Sequence, residues 1–287
     1  MNRTFAFLAG AASVAAACLI GGQEMKAQNN MMMMQNNAMS VTHKVAIAAH
    51  RGYWNCEEAG YARNSVAALR CAQEAGFAWS EFDVNMTADG VLLVVHDGEL
   101  EGKRIDASPY SEFQEITLEN GEKIPLLGDY LMQAKECPST GLILELKEHS
   151  TPEIEDKAVK ATVAELREHG MADPKKVMFI SFSINICRQF ARLMPGFTVQ
   201  YLGDGYSPAR LKSMGITGID ADFTSLADTP GTIDEARRLG MSVNCWTVNK
   251  TEDIRKMAGM KINCITTDFP MEARKILGSR EIKAAAK

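Results

Sequence analysis

Two histidines, three carboxylates and two cations stand at the ends of short apolar runs in this chain. His50-Arg51 follows Val45–Ala49, Glu81-Phe82-Asp83 lies in Trp79–Asn85, His96-Asp97 follows Val91–Val95, and Glu145-Leu146-Lys147 closes the run from Leu142. In a strand, residues i and i+2 share a face, so Glu81 points with Asp83 and Glu145 with Lys147, while Phe82, Val84, Leu144 and Leu146 face away. Three inward carboxylates repel one another and lose hydration unless a cation joins them. All-oxygen ligation suits Ca²⁺ or Mg²⁺ better than zinc. The plainer alternative is an interior salt bridge from Glu81 or Asp83 to Arg51 or Lys147.

A divalent ion, two cationic side chains and two imidazoles are the parts that phosphodiester hydrolysis needs. The ion, Arg51 and Lys147 would neutralise the non-bridging oxygens as charge develops. One of His50 and His96 would take a proton from the attacking group, and the other would protonate the leaving alkoxide. The ordinary imidazole pKa, about 6.5, permits both roles near neutral pH. His43, His149 and His169 fall in a leader, a loop and a helix end, and read as structural or solvated.

Such residues work together only if the scaffold gathers strand ends at one place. Apolar runs recur at Val45–Ala49, Trp79–Asn85, Leu142–Leu146, Val177–Ser181, Thr198–Leu202, Gly218–Ala221, Ser242–Val248 and Asn263–Thr267. Helical patterns separate most of them, at about Asn64–Glu74, Leu127–Ala134, Pro152–His169, Ile184–Leu193, Pro208–Ser213, Ile233–Leu239 and Glu252–Gly259, with Asn64 as the expected cap of the first. The run Val91–Val95 follows its predecessor after only Thr87-Ala88-Asp89-Gly90. A parallel crossover needs about a dozen residues and Asp-Gly is a hairpin turn, so this segment must fold back antiparallel. Eight strands remain. The expected fold is α/β, a single (β/α)₈ TIM barrel with a short antiparallel hairpin excursion after the second strand. Barrel active sites collect at the carboxyl ends of strands, where Ser181, Trp246 and Asp268 join the residues above. No glycine fingerprint for a dinucleotide or nucleoside triphosphate is present.

The 287 residues carry a formal charge of −5, which argues against a nucleic-acid partner. Arg3 precedes an uncharged apolar stretch, Phe5–Ile20, too short for a bilayer span and suited to a secretory signal peptide, so residues 1–28 read as an export signal leading to the periplasm or outside. Ala15-Ala16-Ala17 before Cys18 is a loose lipobox, which keeps a lipid anchor at Cys18 as the alternative to a freely soluble form. No transmembrane segment is expected. An Asn/Met-rich leader, 29–42, precedes a barrel domain at 43–278 and a tail at 279–287. Cys245 and Cys264 lie in apolar runs and read as buried thiols.

Taken in order, Ala49-His50-Arg51-Gly52, Asn64-Ser65, Glu81-Phe82-Asp83-Val84, Thr87-Ala88-Asp89-Gly90, Val94-Val95-His96-Asp97, Ile124-Pro125-Leu126-Leu127, Glu145-Leu146-Lys147, Ser181-Phe182, Trp246-Thr247-Val248-Asn249 and Thr267-Asp268-Phe269-Pro270 resemble the glycerophosphodiester phosphodiesterase family. The resemblance implies a barrel enzyme that cleaves a small-molecule glycerophosphodiester to an alcohol and glycerol 3-phosphate with Ca²⁺ or Mg²⁺. It implies His50 and His96 as the acid/base pair, Glu81, Asp83 and Glu145 as metal ligands, Arg51 and Lys147 as phosphate contacts, and Trp246 as a wall against the substrate. It also implies attack by the glycerol 2-hydroxyl and a cyclic phosphate that water opens. Two departures stand out. Ala62-Arg63 replaces the Pro-Glu often found before Asn-Thr, and Gly98–Arg104 replaces the usual Arg-Thr-Thr stretch, pointing to a different alcohol or head group. Two other readings stay open: a related phosphodiesterase of the phospholipase or sphingomyelinase D type acting on intact lipid, and a non-catalytic binding protein on the same barrel. The acidic loop Trp54-Asn55-Cys56-Glu57-Glu58 favours a water-soluble substrate over a lipid surface.

Overall fold

The computed structural model describes residues 44–285, so the export signal, the Cys18 anchor and the Asn/Met leader lie outside the described residues. Strands β1 (Ala46–Ala49) and β2 (Trp79–Met86) are joined through helix α1 (Val66–Glu74). Strand β3 (Leu92–Val94) runs back antiparallel along β2, with Val84 opposite Val94. The turn between them needs Gly90, whose φ is +91°, and Thr87, whose hydroxyl accepts from the Val91 N–H at 3.0 Å. Hairpin β4 (Glu99–Leu100) and β5 (Lys103–Arg104) follows, with Glu101 and Gly102 both at positive φ as a two-residue primed turn requires.

The chain then continues through α2 (Leu127–Glu136), β6 (Gly141–Leu146), α3 (Pro152–Glu168), β7 (Val177–Ser181), α4 (Ile184–Leu193), β8 (Thr198–Leu202) and α5 (Pro208–Ser213). It ends with β9 (Gly218–Asp222), α6 (Phe223–Asp228), α7 (Pro230–Arg238), β10 (Ser242–Trp246), α8 (Thr251–Gly259), β11 (Cys264–Thr267) and α9 (Pro270–Ala285). Eight strands pair in parallel in the order β1-β2-β6-β7-β8-β9-β10-β11, and β11 returns to β1, closing a TIM barrel. All eight expected strands are present.

Several details differ from the expectation, and the closing helix α9 was not among the expected helices. Ser65, not Asn64, caps α1, its hydroxyl accepting from the Ala68 N–H at 2.9 Å. Helix α7 starts at Pro230, because proline's fixed φ suits a first helical turn. The short helix α6 was not expected; Asp222 caps it by accepting from the Thr224 and Ser225 N–H groups. The excursion after β2 is also more than a hairpin, for Leu93, Ile105, Phe113 and Ile124 form a small core of their own.

Outward strand residues carry most of the apolar packing. Phe82 of β2 stacks on Tyr130 of α2 at 4.4 Å, and Phe179 of β7 stacks on Phe190 of α4 at 4.1 Å. Cys245 and Cys264 are free, buried thiols. Among the described residues no helix is long and apolar enough to cross a membrane. Phe82 separates Glu81 from Asp83 and anchors that strand from behind. Replacing it, Phe82→Ala, should lower unfolding free energy by about 3–5 kcal/mol in urea titrations; a loss below about 1 kcal/mol would contradict the anchoring role.

Candidate active site

Barrel closure creates the first half of the site. Ala49 of β1 pairs with Thr267 of β11, and the next residues in each strand, His50 and Asp268, meet across the seam. His50 Nδ1 lies 2.8 Å from Asp268 Oδ1, which also accepts from the Trp54 indole at 3.1 Å. Asn249 donates to the other carboxylate oxygen at 2.8 Å and accepts from the Asp268 N–H at 3.0 Å. Burial alone would raise the Asp268 carboxyl, but the His50 hydrogen bond and charge, with the Asn249 and Trp54 bonds, bring it down to about 2. The carboxylate is thus ionised and suited to accept the Nδ1 proton, which leaves His50 Nε2 outside that bond, 4.0 Å from Glu81.

The carboxylates come from neighbouring strands. Glu81 and Asp83 of β2 sit beside Glu145 of β6, in a register that sets Asp83 opposite Glu145. One ligand atom from each lies within 4.8 Å of the others, and all three residues are buried. Glu81 accepts from the Arg51 backbone N–H at 2.8 Å, which requires Arg51 to adopt the left-handed conformation at φ 54°. Gly52 follows at φ +79°, where a Cβ would come within 2.6 Å of Ala68. Asn64 (φ 57°) clasps Asp83, donating to Oδ2 at 2.9 Å and accepting from the Asp83 N–H at 3.1 Å. Lys147 Nζ lies 2.6 Å from Glu145 and 3.4 Å from Asp83, and Arg51 Nε lies 3.5 Å from Asp83. The interior ion pairs and the carboxylate cluster therefore coexist.

Charge is unevenly distributed in this cluster. Burial, then the Asp83 and Glu145 charges, push the Glu81 carboxyl well above the usual range. Burial and the Asp83 charge raise Glu145 to about 7 despite Lys147. Burial also acts to raise Asp83, yet the Lys147 charge, the Asn64 hydrogen bond, His96 and Arg51 outweigh it and hold Asp83 below its ordinary value. The Lys147 ammonium is held up by Glu145 and Asp83 against its own burial. Three buried carboxyl groups thus share two cationic side chains, Arg51 and Lys147.

The second half comes from the excursion. Asn85, third in the inward row after Glu81 and Asp83, donates to the backbone carbonyls of Val95, His96 and Asp97. His96 Nδ1 lies 2.8 Å from Asp97 Oδ1, and burial lowers the imidazole pKa. Both histidines thus have Nδ1 held by an aspartate. They share a cavity of about 160 Å³ with Arg51, Glu81, Glu145 and Lys147. Asp83 lies behind that lining. Trp246 and Phe182 wall the cavity, meeting edge to face at 5.8 Å. Ser181 is structural, its hydroxyl donating to the Leu146 carbonyl at 2.7 Å. So is His149, whose Nε2 accepts from the Met86 N–H at 3.1 Å, and His169 closes α3 at the Glu165 carbonyl.

Residues 50–272 match the family model described as the glycerophosphoryl diester phosphodiesterase family. The chain belongs to this family. Its members are phosphodiester hydrolases, and this chain is one of them. A glycerophosphodiester phosphodiesterase from Bacillus altitudinis is 29% identical over 238 residues, spanning 74% of this chain and 89% of that relative. A solved glycerophosphodiester phosphodiesterase from Parabacteroides distasonis is 41% identical with a TM-score of 0.80, covering 83% of this chain and 98% of that one. The same fold, at 21% identity and a TM-score of 0.69 over 81% of this chain and 96% of that one, is found in an Oleispira antarctica phosphodiesterase solved with the product sn-glycerol 3-phosphate.

Within the family scaffold, Arg63 occupies the position expected to differ. Its guanidinium lies 4.1 Å from the centre of the Trp54 ring, whose indole N–H holds Asp268. Asp268, Asp97, Asn85, Asn64 and Phe182 were not singled out for these contacts from the sequence. The i, i+2 spacing of Asn85 from Asp83 and the closure of the last strand on the first were the available signals. In chelator, the folded protein should lose stability as pH rises from about 4.5 to about 7, since folded Glu145 keeps its proton across that window and the unfolded chain does not. Urea midpoints measured stepwise in pH should show a shallower slope for Glu145→Gln; an unchanged slope would contradict the assignment.

Proposed function

We propose that this chain hydrolyses glycerophosphodiesters to an alcohol and glycerol 3-phosphate, with one divalent cation, Ca²⁺ or Mg²⁺, and with His50 and His96 as the acid/base pair. The observation that carries the reading is the pairing of two aspartate-held imidazoles with a buried carboxylate trio around one cavity. The donor set fits a hard cation, since Glu81, Asp83 and Glu145 offer only oxygen and repel one another without one. When bound, the ion supplies positive charge that neutralises phosphoryl oxygens.

The protein's own groups do the rest. Arg51 and Lys147 border the cavity and contact the phosphate, adding charge where the transition state develops it. One histidine takes the proton from the attacking hydroxyl at Nε2, and the other gives its proton to the leaving alkoxide. In this reading the glycerol 2-hydroxyl forms a bond to phosphorus as the ester bond to the alcohol breaks; water then opens the cyclic phosphate, with the histidine roles reversed. Asp268 and Asp97 keep each ring oriented and offset the imidazolium charge. Trp246 and Phe182 restrict where the carbon skeleton lies.

We also propose export, on the strength of the apolar stretch Phe5–Ile20 behind Arg3; sequencing the mature amino terminus tests it, and a retained Met1 would oppose it.

Assayed on a panel of glycerophosphodiesters, the enzyme should release glycerol 3-phosphate, stop in EDTA, and recover with Ca²⁺ or Mg²⁺. His50→Ala and His96→Ala should each lower kcat by about 10²–10⁴-fold with little change in KM. Full activity of His50→Ala, or choline release from sphingomyelin alone, would overturn the reading. Asp268→Asn should lower kcat by about 10–100-fold and displace the pH–rate profile, because it acts through the orientation of His50; an unchanged profile would leave Asp268 only a structural role.

A further inference from the structure

One layer below the histidines, the cavity floor holds two polar side chains with no part in this chemistry. Asp220 lies on β9, two residues before the strand-end Asp222, and is 1% exposed. Neither of its carboxyl oxygens has a hydrogen-bond partner among the described residues. Thr266 lies on β11 opposite Ala48, two residues before Asp268, and is 3% exposed with an equally unpartnered hydroxyl. Both line the same cavity as the two histidines.

The polar groups beside and below Asp220 on β8 and β10 are already engaged with one another. Gln200 donates to Ser242 at 3.0 Å and accepts from Asn244 at 2.8 Å. The Trp246 indole bonds the Asp220 carbonyl, at 3.2 Å, leaving the Asp220 side chain free. Asp220 stands outside the carboxylate trio whose ligand atoms lie within 4.8 Å of one another. A buried polar group without a partner is costly, and two of them facing one cavity mark a place where a ligand supplies the partners.

We propose that Asp220 and Thr266 form a hydroxyl-recognition subsite on the cavity floor, which receives the free hydroxyl of the polyol part of the substrate that does not attack phosphorus; this rests on the reading of the chain as a glycerophosphodiester hydrolase. Each hydroxyl of a polyol is both donor and acceptor, matching a carboxyl and a threonine hydroxyl. An aliphatic chain would leave both groups unpaired. Burial, reinforced by the Glu145 charge, holds the Asp220 carboxyl up at about 8, so near neutrality it presents a donor as well as an acceptor. With the polyol on the floor, the phosphate lies one layer higher, at the level of His50 and Lys147.

The test compares calorimetric binding of sn-glycerol 3-phosphate with that of propyl phosphate, which has the same carbon chain and no hydroxyl groups. The full chain should prefer glycerol 3-phosphate by about tenfold or more, a preference that Asp220→Leu and Thr266→Val each reduce by about tenfold and fivefold, and that Asp220→Asn partly retains. Ligand-free Asp220→Leu should also melt at a higher temperature than the parent, because it removes an unpaired buried carboxyl. A preference unchanged in Asp220→Leu and Thr266→Val overturns the subsite, as does equal loss of affinity for both ligands or the absence of any preference in the parent. Should Asp220→Leu not fold, the near-isosteric Thr266→Val decides alone. A parent that discriminates between these ligands yet hydrolyses no glycerophosphodiester would uphold the subsite and reject the proposed function.

Discussion

Mutual repulsion among Glu81, Asp83 and Glu145 is the constraint around which the surrounding backbone is arranged. Three carboxyl groups with ligand atoms within 4.8 Å of one another, all out of water, require donors and positive charge from every side. Those donors demand uncommon backbone. Arg51 turns into the left-handed region so that its N–H meets Glu81, Gly52 follows where no side chain fits, and Asn64 takes the same conformation to clasp Asp83. The Arg51 carbonyl accepts from the Asn64 N–H at 2.9 Å, so the two strained positions support each other.

The two histidines reach the cavity by different routes and are finished alike. His50 is placed by barrel closure, its aspartate arriving from the opposite end of the chain, 218 residues away. His96 is placed by an excursion tied to the inward row of β2 through Asn85, and its aspartate is the next residue. In both, an aspartate sits 2.8 Å from Nδ1 and leaves Nε2 outside that contact.

Much of the fold could be read from the chain because local signals agree with the tertiary outcome. Each barrel strand is a short apolar run bounded by turn residues, and the Asp89-Gly90 turn fixed β3 as antiparallel. Helix α6 escaped because it is six residues long and begins directly after β9, with a cap that also ends the strand. The carboxylates, histidines and cations were legible from their spacing and from the order of the family blocks. Their supports were not. Asp268 meets His50 only when the last strand closes on the first, and the orphaned state of Asp220 depends on what its neighbours on β8 and β10 already bond. Asn64 read as a helix cap because Asn is favoured there, but Asp83 claims its side chain and Ser65 takes the cap.

The small core formed by Leu93, Ile105, Phe113 and Ile124 divides the active site between two packing units. His50 and the carboxylates belong to the barrel; His96 belongs to a segment whose hold on the barrel includes the β2–β3 pairing, the Asn85 bonds and a 2.7 Å bond from the Ser150 N–H to Asp106. Leu92 and Val94 of that segment also pack into the barrel's main core. Any shift of that segment against the barrel therefore changes the spacing of the two imidazoles without disturbing the carboxylate trio, whose three members all stand on β2 and β6.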